Sequence, residues 1–371
     1  MIEDSFGLFF QPIEDKNFFQ NISHALGSTV VFYDQKTKLS LSETEIAIIG
    51  IGKSADLVRQ KLYQFSALNR TLRIVDWGNL RLGSTYEDTC ARLREVCEMC
   101  LTNDVLTVIL AEDQSLDYGQ FWSYETTGKI ITVVSVDKTI DLQENTSDST
   151  HSHRILSHRP NYLLEYTHLA YQRHLTSPTI LEIMQQLNFE LMSVGQMRDR
   201  QHDIEPIIRA TDMLSFDVAA LRADTFASPN ASPFGLTGDE ACQICWYAGM
   251  SEMLTSIGIY GYSAEHDNAL RRGAHVVASM IWYFLEGFTY RREIHPFKSN
   301  FYIRYIVPIP NTSLEITFYK SKITHKWWIE TSIPSVVPYN RKKVIPCSYQ
   351  DYEEACRGNI PERWLRALDK L

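Results

Sequence analysis

Short, continuous apolar runs alternate along the chain with longer stretches in which apolar residues recur every three or four positions. The runs Val30–Tyr33, Ile46–Ile51, Arg73–Trp77, Val105–Ala111, Ile130–Val136, Met213–Val218 and Ser256–Tyr260 are rich in β-branched residues. Such runs read as strands buried on both faces. Between several of them, Ala55–Phe65, Thr89–Leu101, Thr179–Leu187, Gly238–Met250 and Leu270–Arg291 carry the helical period. Strands alternating with helices predict a mainly parallel sheet covered on both faces, a three-layer α/β/α domain. In such sheets functional groups gather at the carboxyl ends of the strands.

Beyond Arg292 the pattern changes. Phe301–Ile309, Leu314–Tyr319 and Lys326–Ile333 are aromatic-rich, alternating and closely spaced, which predicts an antiparallel meander. Two short helices follow, Tyr349–Cys356 and Pro361–Leu371, with Pro361 suited to a helical first turn. These features divide the chain into an α/β/α domain over 1–294 and a β and helical extension over 295–371. The stretch Gln143–His153 is polar and unpatterned and reads as a mobile loop. No internal repeat is visible.

Composition narrows the function. With 371 residues, 44% hydrophobic and 22% charged, the chain can bury a large core and has no disordered character. A net charge of −9 has the wrong sign for binding a phosphate backbone, so no nucleic-acid partner is expected. Apolar runs of strand length exclude membrane insertion by a helix, and the start MIEDSFGLFF lacks a leader pattern. Seven cysteines do not form a disulfide framework at this length, which points to a reduced, cytoplasmic protein.

Three strand ends carry polar clusters. They are Ala111-Glu112-Asp113-Gln114-Ser115, Asp137-Lys138-Thr139-Ile140-Asp141 and Ser215-Phe216-Asp217-Val218-Ala219. An aspartate at the end of a buried strand is costly unless it is hydrogen-bonded, paired or metal-bound. In order and spacing these clusters resemble the GGDHS, DAHxD and SFDxD signatures of the ureohydrolase family, which includes arginase, agmatinase and formimidoylglutamase. Gly235-Leu236-Thr237 before a helix fits the same family. Asp76–Leu82, Pro160–Gln172 and Met280–Gly287 look most like its formimidoylglutamase branch. The resemblance spans roughly residues 40–292.

It implies an arginase-like fold, two Mn²⁺ ions in an ordinary member, and hydrolysis of an amidino or formimino C–N bond. Here the ligand set is incomplete. Gln114 stands at the first histidine position and Thr139 at the second, while Ala219 replaces an aspartate and Gly261 falls where a later acid is expected. By this analogy Gln114, Asp137, Asp141 and Asp217 make an all-oxygen set for one ion, and Thr139 and Ala219 are lost positions of the other. The cofactor expected is one hard cation (Mg²⁺, Ca²⁺ or weakly held Mn²⁺) or none, and not two Mn²⁺. Without paired ions, efficient metal-assisted hydrolysis is lost. A non-catalytic binding or scaffolding protein is therefore expected, a pseudoenzyme with no assignable catalytic residue. The alternative is a C–N hydrolase using the reduced site. The family also implies a homo-oligomer, and the extension offers a surface for a protein partner.

Other motifs carry less. Gly50-Ile51-Gly52-Lys53-Ser54 resembles the end of a phosphate loop, but Ala47 occupies the position where the full pattern needs glycine. Cys97-x-x-Cys100 and Cys242-x-x-Cys245 lie in helical patterns and read as buried thiols rather than zinc ligands. His151, His153 and His158 read as solvated histidines of a polar segment. Trp327 and Trp328 are adjacent on a strand and must face opposite ways, so two separate surfaces have to cover them. Cover from within the chain is the default, with a partner surface as the alternative.

Overall fold

The computed structural model describes residues 6–13, 24–34, 41–142, 151–226, 231–291, 297, 299–331 and 344–369. The expected domain boundary near residue 295 lies outside them, as does most of the polar loop, 143–150. His151 itself is helical and begins His151–Ser157.

The larger sheet has ten strands: β1 (Phe10–Gln11), β2 (Val31–Phe32), β3 (Ile46–Ile51), β4 (Ile74–Leu80), β5 (Leu106–Ala111), β6 (Ile131–Val136), β7 (Leu163–Tyr171), β8 (Glu190–Ser193), β9 (Met213–Asp217) and β10 (Ser256–Tyr260). Its order is β1-β4-β3-β5-β10-β9-β6-β7-β8, with β2 also paired to β4. Every pairing is parallel except the short β1 against β4.

Strand β3 shows why the sheet is a middle layer. All six of its residues are buried, and side-chain alternation divides them between two cores. Ile46 and Ile48 join Val58, Leu62, Val277 and Ile281 on one face. Ala47, Ile49 and Ile51 join Leu93, Val96 and Cys97 on the other. The helices supplying those cores are α1 (Ser54–Leu62), α2 (Tyr86–Thr102) and, further along the chain, α9 (Arg272–Thr289). Between α2 and α9 lie α3 (Asp117–Trp122), α4 (His151–Ser157), α5 (Pro178–Gln186), α6 (Val194–Asp199), α7 (Gln201–Arg209) and α8 (Gly238–Met250).

A separate antiparallel sheet follows: β11 (Tyr302–Pro308), β12 (Glu315–Ser321), β13 (Trp327–Glu330) and β14 (Val344–Cys347), then α10 (Tyr349–Cys356) and α11 (Glu362–Asp369). The two tryptophans do face opposite ways, and the chain itself covers both. Trp327 stacks on Tyr305 and Tyr352, while Trp328 packs edge-on against Tyr302 and Phe297. Arg209, at the end of α7, lies under the Trp328 ring at 4.5 Å and donates from Nη2 to the Trp327 and Cys347 carbonyls at 2.9 and 3.3 Å. This docks the extension on the larger domain.

Candidate metal centre

Strands β5, β10, β9 and β6 are neighbours in that order, and chain connectivity places Gln114, Gly261, Asp217 and Asp137 at or just past their carboxyl ends. Asp137 is 2% exposed. Its carboxylate accepts from the Lys138 backbone N–H at 2.5 Å and from Thr139 Oγ1 at 3.2 Å. Its own carbonyl accepts from His168 Nε2 on β7 at 3.1 Å. Burial holds His168 neutral by lowering its pKa to about 3.

Asp137 and Asp141 are joined by a residue from outside the three signatures. One donor atom each of Asp137, Asp141 and His151 lie within 4.8 Å of one another. The expectation of a solvated His151 is corrected here, and an imidazole joins two acids of the expected all-oxygen set. His151 is buried because it opens α4 against α3, where its Nδ1 meets Asp117 Oδ2 at 2.9 Å. The same oxygen accepts from Ser215 Oγ at 2.8 Å. Asp117 is fully buried, and its Oδ1 has no partner among the described residues. The serine donates to the aspartate rather than to the imidazole, so this trio does not activate a nucleophile. It holds an imidazole in place, the role a carboxylate plays behind a metal-binding histidine.

The electrostatics call for positive charge. Burial, reinforced by the charge of Asp217, raises Asp137 to about 8. Burial raises Asp217 to about 6 against a hydrogen bond from the Ala219 N–H at 2.7 Å. Burial opposes the imidazolium of His151, but Asp117 outweighs it and holds the group at about 9.

The remaining expected residues are placed differently. Asp217 is outside the group of three, though near enough for its charge to act on Asp137. Gln114 sits in a 3-10 turn after β5, and its Nε2 lacks a partner among the described residues. Thr139 and Ala219 each donate to a neighbouring aspartate, from a hydroxyl and a backbone N–H. Gly261 has φ +84°, and a Cβ built on it would lie 2.2 Å from Asp217 Oδ1. No acid fits there without moving Asp217.

No sequence profile of a known family matches the chain, and no curated protein matches it in sequence. Solved structures do match. Trypanosoma cruzi formiminoglutamase, in a Mn²⁺-bound form, is 18% identical with a TM-score of 0.62 over 68% of this chain and 96% of its own. Bacillus subtilis formimidoylglutamase is 18% identical with a TM-score of 0.61 over 70% of this chain and 90% of its own. The agmatine ureohydrolase of Thermoplasma volcanium is 14% identical with a TM-score of 0.57, over 73% and 97%. The chain has the ureohydrolase fold. Within that fold, the residues that sequence reasoning missed are Asp117, His151 and His168. None lies in a signature, and only the return of α4 to the strand ends brings His151 in.

The other motifs fall out of the site. At the glycine turn after β3, Ser54 Oγ bonds the Glu112 carboxylate and accepts from Ala264 N at 2.9 Å, so an acid fills the space a phosphate would need. Both cysteine pairs are buried free thiols. His158 is nearly buried among Tyr118, Phe121 and Tyr162, contrary to a solvated histidine, and burial lowers its pKa.

Proposed function

We propose that this ureohydrolase-fold protein holds a single divalent cation on Asp137, Asp141 and His151 and acts as a binding protein rather than a two-ion hydrolase. The observation that carries the proposal is the group of two carboxylates and one imidazole within 4.8 Å, with Asp137 and His151 buried, Asp141 half-buried and the imidazole braced by Asp117. This donor set fits one ion. It offers mixed oxygen and nitrogen donors, which moves the preferred metal from Mg²⁺ or Ca²⁺ towards Mn²⁺ or Zn²⁺. When bound, such an ion supplies a Lewis-acidic centre for a carboxylate, carbonyl or amidino nitrogen of a ligand.

The chain's own residues set the limits of that chemistry. Thr139 and Ala219 supply no donors for a second ion but bond to Asp137 and Asp217 instead. Gly261 leaves no room for a further acid. His151, with Nδ1 turned towards Asp117, would hold the ion rather than move a substrate proton. These features support a single site and argue against paired-ion hydrolysis.

Metal analysis after loading with Mn²⁺ or Zn²⁺ and gel filtration tests this, together with hydrolysis assays on N-formimino-glutamate, arginine and agmatine. One ion per chain, reduced to none by His151→Ala, with no turnover, is the expected result. Two tightly held Mn²⁺ per chain, or turnover of any of the three substrates, would overturn it.

A further inference from the structure

A cleft of about 450 Å³ lies between α3 and α4 and the residues that follow each. Its lining holds two guanidinium groups, Arg154 and Arg159, one imidazole, His158, and a single carboxylate, Glu125. None of the metal-centre residues takes part in it. The chain as a whole carries a net charge of −9, so this local balance is not inherited from composition. The volume falls in the range of small-molecule sites.

Arg154 is held in place without being paired. Its guanidinium lies over the Tyr86 ring at 5.0 Å and the Tyr118 ring at 4.7 Å. Both rings are pinned: the Tyr86 hydroxyl donates to the Ser115 carbonyl at 2.6 Å, and the Tyr118 hydroxyl meets His158 Nδ1 at 2.9 Å. A guanidinium stacked on rings uses its faces and keeps its in-plane N–H groups, the fork that meets an oxyanion. Among the described residues neither Arg154 nor Arg159 makes a side-chain hydrogen bond or ion pair. By contrast Arg94, over the Trp122 ring at 4.8 Å and outside the lining, is paired with Glu98 at 3.4 Å. His158 adds a donor from the wall. Its side chain is 7% exposed, and Nε2 has no hydrogen-bond partner among the described residues, with the Glu125 carboxylate 3.5 Å away. Glu125 is itself engaged by Trp122 Nε1 at 2.6 Å.

We propose that this cleft is a binding site for a phosphate monoester. A carboxylate ligand brings one charge, which a single guanidinium matches. Two uncommitted guanidinium groups and an orphaned imidazole nitrogen suit a dianion with three peripheral oxygens. The Arg154 fork, fixed between the tyrosines, meets the phosphoryl oxygens at little cost in side-chain ordering. Arg159 adds the second positive charge from the exposed rim, and the lone carboxylate of the lining leaves one guanidinium charge in excess.

Isothermal titration of the full chain with phenyl phosphate, inorganic phosphate and benzoate tests this, in EDTA so that no cation at the metal centre takes up phosphate. Phenyl phosphate is expected to bind saturably at one site per chain with a Kd below about 1 mM, and more weakly as salt rises. Inorganic phosphate should compete for the same site, and benzoate should bind about tenfold more weakly or not at all. Arg154→Met keeps a side chain against the tyrosine rings but removes the fork, and should weaken phenyl phosphate about tenfold or more. Arg94→Met removes a stacked guanidinium outside the cleft and should leave binding unchanged. No saturable binding of phenyl phosphate, benzoate binding as tightly, or equal losses in Arg154→Met and Arg94→Met would overturn the proposal. If far-UV circular dichroism shows that Arg154→Met does not fold, Arg159→Gln decides from an exposed position. Weakening of about fivefold or more supports the site, and unchanged binding refutes it.

Discussion

Gly261 falls where the family resemblance would put a further acid, and the backbone there resists a side chain. Its φ of +84° lies in the region that side chains avoid. A residue with a Cβ pays about 1–2 kcal/mol for such a conformation. The Cβ would also lie 2.2 Å from Asp217 Oδ1, well inside contact distance, so the Asp217 carboxylate must swing away. In doing so it gives up its bond to the Ala219 N–H at 2.7 Å. A hydrogen bond to a charged group contributes roughly 1.5–3 kcal/mol. Gly261→Ala is therefore expected to destabilise the protein by about 3–4 kcal/mol through geometry alone. Gly261→Asp adds a second carboxylate beside Asp217 and is expected to cost more. The assay is urea unfolding in EDTA, read as a shift in midpoint at constant slope. Gly261→Asp should also bind no second Mn²⁺. An alanine variant within about 0.5 kcal/mol of the parent would refute the reasoning, because neither strain nor the displaced carboxylate could then be real.

Two further outcomes are expected. Arg209→Met removes the guanidinium that bonds the Trp327 and Cys347 carbonyls and underlies Trp328, at a cost of roughly 3–5 kcal/mol for breaking a buried charged network; limited proteolysis should then remove the extension before the larger domain, and simultaneous cleavage of both would contradict the docking role. Of the seven cysteines only Cys356 is exposed, and burial raises the other thiols, so the native protein should show one fast-reacting thiol with Ellman's reagent, lost in Cys356→Ser; rapid modification of Cys97, Cys100, Cys242 or Cys245 would count against buried pairs.

The parts of the fold that were legible in the sequence are those where burial on both faces makes a strand continuous. Runs such as Ile46–Ile51 and Ser256–Tyr260 match the strands residue for residue. Strand β7 is harder to see because its first three residues, Leu163, Leu164 and Glu165, are only half-buried, and Glu165, Thr167 and His168 interrupt the apolar run before it closes at Tyr171. Strand β8 is a short edge strand with one fully buried residue, too little to set a period. Helices α6 and α7 were missed for a related reason. Pro206, the sixth residue of α7, has no N–H to donate back along the helix and interrupts its pattern. At the site, Asp137, Asp141 and Asp217 were legible because a signature fixes each at a strand end. His151 was not, since it lies ten positions beyond Asp141 and no local pattern says that α4 folds back over the strand ends.

That return of α4 changes how the surviving acids are explained. If they were relics, their burial would need to be inexpensive, with every oxygen satisfied by backbone donors. Asp217 comes close to that, through the Ala219 N–H. Asp117 does not: it is fully buried, one oxygen accepts from both His151 and Ser215, and the other has no partner among the described residues. Asp137, also buried, carries a pKa raised to about 8. Ionising Asp137 in this pocket beside Asp217 therefore costs free energy, which its raised pKa records. A divalent cation on Asp137, Asp141 and His151 offsets that cost at its source. It would let Asp137 ionise at neutral pH and would displace the proton that Asp117 otherwise holds on His151, freeing the imidazole to ligate. Relics could be replaced by apolar side chains with a gain in stability, whereas ligands could not without losing the ion. The double substitution Asp117→Asn with His151→Leu distinguishes the two. A relic cluster would be made more stable by it, and a cation site would lose both its metal and the metal-dependent part of its stability.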